Sequence, residues 1–210
     1  IDEIALNKAL FDKEGVEVIG AIINKVQIEK MDYIRKYTSL ALDSLGIPLL
    51  GLLPAEKILT SPNLRQIFER TDGEWLHKVD NTASRRISNI IISAMTAPGF
   101  LDTITSGTLL ITPGDREDII MAALSYEATS QAGSISGIVL TRGITPHPRL
   151  VKRVQQSTIP VILVENDSYV VASRLHGMTV KTQPDDSDKI PLIQQMILNN
   201  IDLKALEKAF

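Results

Sequence analysis

An α/β chain is the fold class this sequence predicts, and three observations predict it. Short β-branched or leucine-rich runs recur along the chain, helical periods separate them, and glycine or proline stands at the junctions. The runs are strand-sized and apolar on both faces, the pattern of strands covered by helices on either side of a parallel sheet.

The elements follow in order. Asp2 to Lys13 has a helical pattern that ends at Gly15, and Val16 to Ile23 reads as a buried strand. A helix is expected from Met31 to Leu45, closed by Gly46, and then a strand from Ile47 that is cut off at Pro54. Strand, helix and strand make one βαβ unit. Leu64 to Arg70 reads as another helix, and the character of the chain changes from Asp72 to Leu76. The polar stretch from His77 to Arg86 is taken as a domain boundary, giving expected regions of 1–78, 79–184 and 185–210.

Beyond that boundary the alternation is regular. Strands are expected at Ile87–Ser93, Thr108–Thr112, Gly137–Leu140 and Val161–Val164, with a last one at Thr179–Lys181. Helices are expected at Asp115–Ala128, Pro148–Gln156 and Ser168–Arg174, and closing helices at Ile190–Asn199 and Leu203–Phe210. Four strands run into polar or turn-forming residues: Ala94-Met95-Thr96, Thr112-Pro113-Gly114, Thr141-Arg142-Gly143 and Glu165-Asn166-Asp167. In a parallel sheet these ends share one edge, where open α/β folds place their ligands.

The turn after Thr112 is the most informative of the four. Pro113-Gly114 turns the backbone, Asp115 is expected to cap the next helix, and Glu117 and Asp118 suit the positive end of its dipole. Arg116 opposes that dipole by roughly 0.3 to 1 kcal/mol unless a carboxylate or a bound anion sits beside it. A bound anion makes the turn a small-molecule site; a neighbouring acid makes Arg116 a stiffener of the loop. Thr141-Arg142-Gly143 is a second loop able to meet an anion, or a plain strand-to-helix connection. Asp167 or Ser168 is expected to cap the following helix, from which Ser173 and Arg174 either reach a ligand or face water.

Earlier in the chain, Asn24 and Lys25 follow the apolar run Gly20 to Ile23, and Pro54 ends the next strand. An amide, an ammonium and an apolar ring so placed suit a purine edge, although an asparagine there often bonds its own backbone.

Composition narrows the function. The net charge is −3 and no basic block occurs, which argues against a nucleic-acid partner. No apolar run approaches the roughly 20 residues of a membrane span, so no membrane partner is expected. There is no cysteine, and the three histidines, His77, His147 and His176, are too scattered for a metal site. Gly-x-x-x-x-Gly-Lys-Ser/Thr, Gly-x-Ser-x-Gly and His-Glu-x-x-His are all missing, so no catalytic residue is assigned in this chain.

With those residues in view, the segment from Ile87 to Lys181 resembles a DRTGG domain. The resemblance lies in Ser93 to Thr96, Ile111 to Ile120 with its Thr112-Pro113-Gly114-Asp115-Arg116 core, Val139 to Gly143, and Ser168 to Arg174. Where that family commonly has a second glycine after the threonine, this chain has Arg142. Asp2 to Leu76 is similar to the C-terminal half of a dethiobiotin-synthetase-like P-loop domain, through Gly20 to Val26 and Gly46 to Pro54. Together they resemble the N-terminal regulatory region of long bacterial phosphate acetyltransferases.

That resemblance implies a partial P-loop-type parallel sheet followed by a DRTGG α/β domain with a mainly parallel sheet flanked by helices. It implies a cytoplasmic regulatory and oligomerisation region, with a catalytic acetyltransferase domain in the same parent chain. A small anionic metabolite or a nucleotide effector, ATP or NADH, is implied at Thr112, Gly114, Asp115, Arg116, Thr141, Arg142, Gly143, Ser173 and Arg174, with Asn24, Lys25 and Pro54 as a base-recognition remnant. The chain opens at Ile1 and is expected to be an internal fragment. Two other readings are a fragment of an ATP-dependent ligase of the dethiobiotin synthetase and cobyrinate diamide synthase group, and a pure dimerisation module.

Overall fold

The computed structural model describes residues 2–80, 84–129, 135–184 and 186–208. They form two compact units, one of Ile1–Lys57 with Asp188–Phe210 and one of Ile58–Ser187. The polar stretch from 77 to 86 therefore falls inside the second unit, and the closing helices join the first.

In the first unit, α1 (Asp2–Lys13) precedes β1 (Ala21–Val26), and α2 (Met31–Ser44) leads to β2 (Leu49–Pro54). β1 and β2 pair in parallel, as the βαβ reading requires. The first strand nevertheless starts at Ala21 and not at Val16, so Asn24 and Lys25 lie within β1 rather than beyond its end. The chain passes through α3 (Lys57–Thr60) into the second unit and returns in α9 (Lys189–Asn200) and α10 (Leu203–Glu207). The junction of α9 and α10 bonds the free edge of β2, where the Asp202 N–H donates to the Leu50 carbonyl at 2.8 Å.

The second unit is a five-stranded sheet in the order β3-β7-β6-β5-β4. Its strands are β3 (Glu74–His77), β4 (Asn89–Ile92), β5 (Thr108–Pro113), β6 (Ile135–Thr141) and β7 (Val161–Leu163). Four run parallel, and β3 runs antiparallel against β7. β5 and β6 are central and their continuous apolar runs are buried on both faces: Leu109, Leu110, Ile111, Ile138, Val139 and Leu140 are all fully buried.

Helices cover the two faces. Ile91, Leu110, Ile138 and Leu140 pack beneath α5 (Ala97–Leu101), α6 (Glu117–Thr129) and α7 (Pro148–Gln155). Leu109, Ile111, Val139 and Ile162 pack beneath α4 (Leu64–Thr71) and α8 (Ser168–His176). The helices α4, α5 and α8 each start at a side-chain cap. Asn63 and Gln66 form a reciprocal capping box on α4, Thr96 accepts from Gly99 on α5, and Asp167 accepts from Val170 on α8 at 2.9 Å.

Three sequence expectations are corrected. Thr179–Lys181 forms no strand, and its Lys181 carbonyl accepts from the Gln66 side chain at 3.2 Å. β3 and α5 are additional elements: Trp75 of β3 is anchored by stacking on Phe68 of α4, ring centroids 4.6 Å apart. Asp115 does not cap α6, which starts at Glu117 with the Arg116 carbonyl accepting from the Ile119 and Ile120 amides.

Candidate functional site

The parallel strands β4, β5, β6 and β7 deliver their polar ends to one rim, and the register ties them tightly. Pro113 of β5 pairs with Thr141 of β6, so the two turns that follow are neighbours. Gly114 lies against the Ile144 carbonyl so closely that a Cβ there would overlap it. At this position the glycine is required for the two loops to meet.

Arg116 occupies the first of these turns. Its Nε and Nη2 donate to the two carboxylate oxygens of Asp118, both at 2.9 Å, in a two-toothed grip. Nη2 also donates to the Met95 carbonyl at 2.8 Å, and Nη1 to the Ser93 carbonyl at 3.4 Å. The guanidinium thus ties the start of α6 to the end of β4. The bond with Asp118 raises the Arg116 pKa above its ordinary value, and the Arg116 guanidinium, by hydrogen bond, holds the Asp118 carboxyl below the usual carboxylate range. Asp115 is exposed and adds a weaker attraction to the same cation.

The second turn has a different character. Arg142 and Gly143 both adopt left-handed backbone, with φ of 69° and 63°. Their amides are used: the Arg142 N–H donates to the Asn166 carbonyl at 2.9 Å and the Gly143 N–H to the Val164 carbonyl at 2.8 Å. The amides expected to face an anion instead continue the ladder between β6 and β7. The Arg142 side chain is exposed, and among the described residues no acid pairs with it. The Glu165 carboxylate packs against Gly143. Thr141 is fully buried, and its hydroxyl and that of Ser168 are 2.9 Å apart, linking the end of β6 to the start of α8.

The other candidates are placed less favourably for a ligand. Thr112 is fully buried at the end of β5. Ser173 is exposed on α8, and Arg174 Nη1 donates to Asp72 at 3.1 Å, in the turn between α4 and β3. Asn24, Lys25 and Pro54 belong to the first compact unit. There the Asn24 carbonyl oxygen accepts from the Lys25 amide at 2.8 Å, and Lys25 has a left-handed φ of 60°, so the asparagine serves its own backbone.

Four rim residues lie outside the ligand-binding set expected from sequence: Ser93, Asp118, Asn166 and Ser168. Asp118 was visible only as a helix-dipole acid, and its position two residues after Arg116 is the signal that identifies it as the partner. Ser93 Oγ and Asn166 Oδ1 are buried with no hydrogen-bond partner among the described residues. Such atoms cost roughly 1 to 3 kcal/mol each when left unmet. No group of His, Asp or Glu among the described residues is arranged to hold a metal, and no helix among them is long and apolar enough to cross a membrane.

A mainly parallel sheet, helices on both faces and a polar rim at the strand ends define an α/β module of the kind that receives a ligand or a partner at its carboxyl edge. Residues 66–178, more than half of the chain, match the DRTGG domain. The chain belongs to the DRTGG domain family. The match begins within α4, ahead of the residue 79 expected from sequence, and stops short of 184.

Curated relatives are phosphate acetyltransferases. That of Nitrosomonas europaea is 27% identical over 99% of this chain and 30% of its own length. That of Pseudomonas putida is 31% identical over 89% of this chain and 27% of its length. That of Nitratidesulfovibrio vulgaris is 28% identical over 94% and 29%. The chain thus spans about 30% of the length of these relatives. Among solved structures, the CBS and DRTGG domains of the regulatory region of Clostridium perfringens pyrophosphatase, complexed with its activator diadenosine tetraphosphate, align with a TM-score of 0.48. The identity is 16%, covering 85% of this chain and 86% of that chain.

Proposed function

We propose that this chain is the regulatory and oligomerisation region of a cytoplasmic phosphate acetyltransferase, whose parent interconverts acetyl-CoA and phosphate with acetyl phosphate and CoA. Coverage carries the reading: nearly the whole chain aligns with less than a third of each such relative. The sequence holds no nucleophile motif of its own, so the acetyl-transfer chemistry belongs to a separate domain of the parent. The first unit is the back part of a dethiobiotin-synthetase-like P-loop domain, and Asn24, Lys25 and Pro54 are its base-recognition remnant.

On this reading the rim of the second unit takes a small anionic metabolite or a nucleotide such as ATP or NADH. Arg142 supplies the uncommitted positive charge, and Asn166 Oδ1 offers an acceptor to a ligand donor such as an exocyclic amine. Arg116 acts through Asp118 and the Ser93 and Met95 carbonyls as a positioning residue. Regulation follows if the ligand binds two states of the parent with different affinity.

The second half of the proposal, association of copies, is supported by β4. It is the end strand of its sheet, and Ile90 and Ile92 are 37% and 43% exposed on it.

The test is the acetyl-phosphate-forming rate of the intact parent enzyme in titrations of ATP, NADH and pyruvate, for the wild type and Arg142→Ala. At least one effector is expected to change the rate, and Arg142→Ala to abolish that response at unchanged basal rate. A wild-type rate indifferent to all three overturns the ligand reading.

A further inference from the structure

Away from the rim, α6 and α7 enclose a groove of about 500 Å3. Met121, Leu124, Ser125 and Ala128 line it from α6, at the i, i+3, i+4 and i+7 spacing of one helix face. Met121 is 46% exposed, so this largely apolar stripe is open to water. Arg153 and Gln156 line the other wall. Arg149 stands one turn before Arg153 on the same side of α7, and Lys152 is exposed beside them.

The charges of this groove are unbalanced. Glu117 accepts from the His147 amide at 2.7 Å, Asp118 is held by Arg116, and Glu127 accepts from the Ile135 amide at 3.3 Å and lies 3.5 Å from the Thr158 hydroxyl. None of the three acids of α6 forms an ion pair with Arg149, Lys152 or Arg153. Arg149, Lys152 and Arg153 make no ion pair among the described residues. Lys152 and Arg153 suit the C-terminal end of the α7 dipole, and Arg149 sits in its first turn, where the Glu117 carboxylate on the His147 amide is the acid at the same helix start.

We propose that the groove between α6 and α7 is a docking surface for an acidic amphipathic helix of a partner protein. Its apolar side would lie on Met121 and Leu124, and its carboxylates along the Arg149–Arg153 edge. The apolar face of α6 offers a floor for the apolar anchors of a helix laid in a groove, and the basic wall selects the sign of its rim charges. The inference is independent of the rim ligand.

A fluorescein-labelled designed peptide of about 18 residues, with leucines at helical i, i+3, i+4 and i+7 spacing and glutamates on its flanks, is titrated with the 210-residue chain and followed by anisotropy. Saturable binding is expected, weakening as salt rises from about 0.05 to about 0.5 M. A twin peptide with lysine for glutamate is expected to bind at least roughly tenfold more weakly. The double variant Arg149→Glu with Arg153→Glu, and separately Met121→Ser, are each expected to weaken the acidic peptide by roughly tenfold while circular dichroism shows an unchanged fold. Absence of binding, equal binding of the two peptides, or indifference to both variants overturns the proposal. So does protection of the groove by anionic phosphatidylglycerol vesicles, or by self-association in sedimentation, in place of the peptide.

Discussion

Arg116 holds both carboxylate oxygens of Asp118 at 2.9 Å and, with the same guanidinium, two carbonyls at the end of β4. A cation that looked misplaced in a helix start is thereby accounted for by an acid two residues on. Side-chain exposures of 33% and 51% make this a surface pair, worth up to about 1 kcal/mol. Asp118→Asn is expected to lower stability by less than that in urea unfolding.

The pair also sets a pH dependence. The Asp118 carboxyl titrates lower in the folded chain than in the unfolded one, so its contribution is complete above the unfolded carboxylate pKa and is lost as pH falls through the folded one. The stability gap between wild type and Asp118→Asn is expected to be constant from about pH 7 to about pH 5 and to close below about pH 4. Unfolding midpoints across that range check it.

Arg142 occupies a left-handed position, φ 69°, where a side chain costs about 1 kcal/mol relative to glycine. Arg142→Gly is expected to raise the thermal midpoint while weakening ligand binding at the rim. Opposite signs in scanning calorimetry and in ligand titration would separate a retained functional side chain from a neutral one.

Gly114 meets the Ile144 carbonyl with no room for a Cβ. Gly114→Ala is expected to cost roughly 1 to 3 kcal/mol by forcing the two rim loops apart. Denaturant unfolding measures the loss, and hydrogen exchange should show it centred on residues 112–116 and 141–147.

The Thr141 and Ser168 hydroxyls, 2.9 Å apart with Thr141 fully buried, join β6 to α8. Thr141→Val and Ser168→Ala are each expected to cost about 1 kcal/mol, and a double-mutant cycle to return a coupling of similar size.

The central strands were legible because β5 and β6 are apolar on both faces, a pattern that needs no knowledge of neighbours. The N-terminal cap of α8, the end of α2 and the start of α7 were legible for the same local reason: Asp167, Gly46 and Pro148 act on residues beside them. β3 was not, since its four residues are fixed by pairing with β7 and by Trp75 stacking on Phe68. Thr179–Lys181 has strand-forming residues but is held by the Gln66 side chain, a contact 115 positions apart. In the rim, residue types announced charge, yet only the folded geometry shows which amides are already spent on the ladder between β6 and β7. Asn24 shows the opposite case, where the bond to its own backbone was open to sequence reasoning.

Calorimetric titration of ATP, ADP, NADH and pyruvate into the 210-residue chain tests the central claim most directly, with Arg142→Gly alongside. Saturable heat with at least one of them, reduced roughly tenfold or more in affinity by the substitution, is the result expected of a rim that reads negative charge. No heat from any of the four, or equal affinity in wild type and variant, would contradict it.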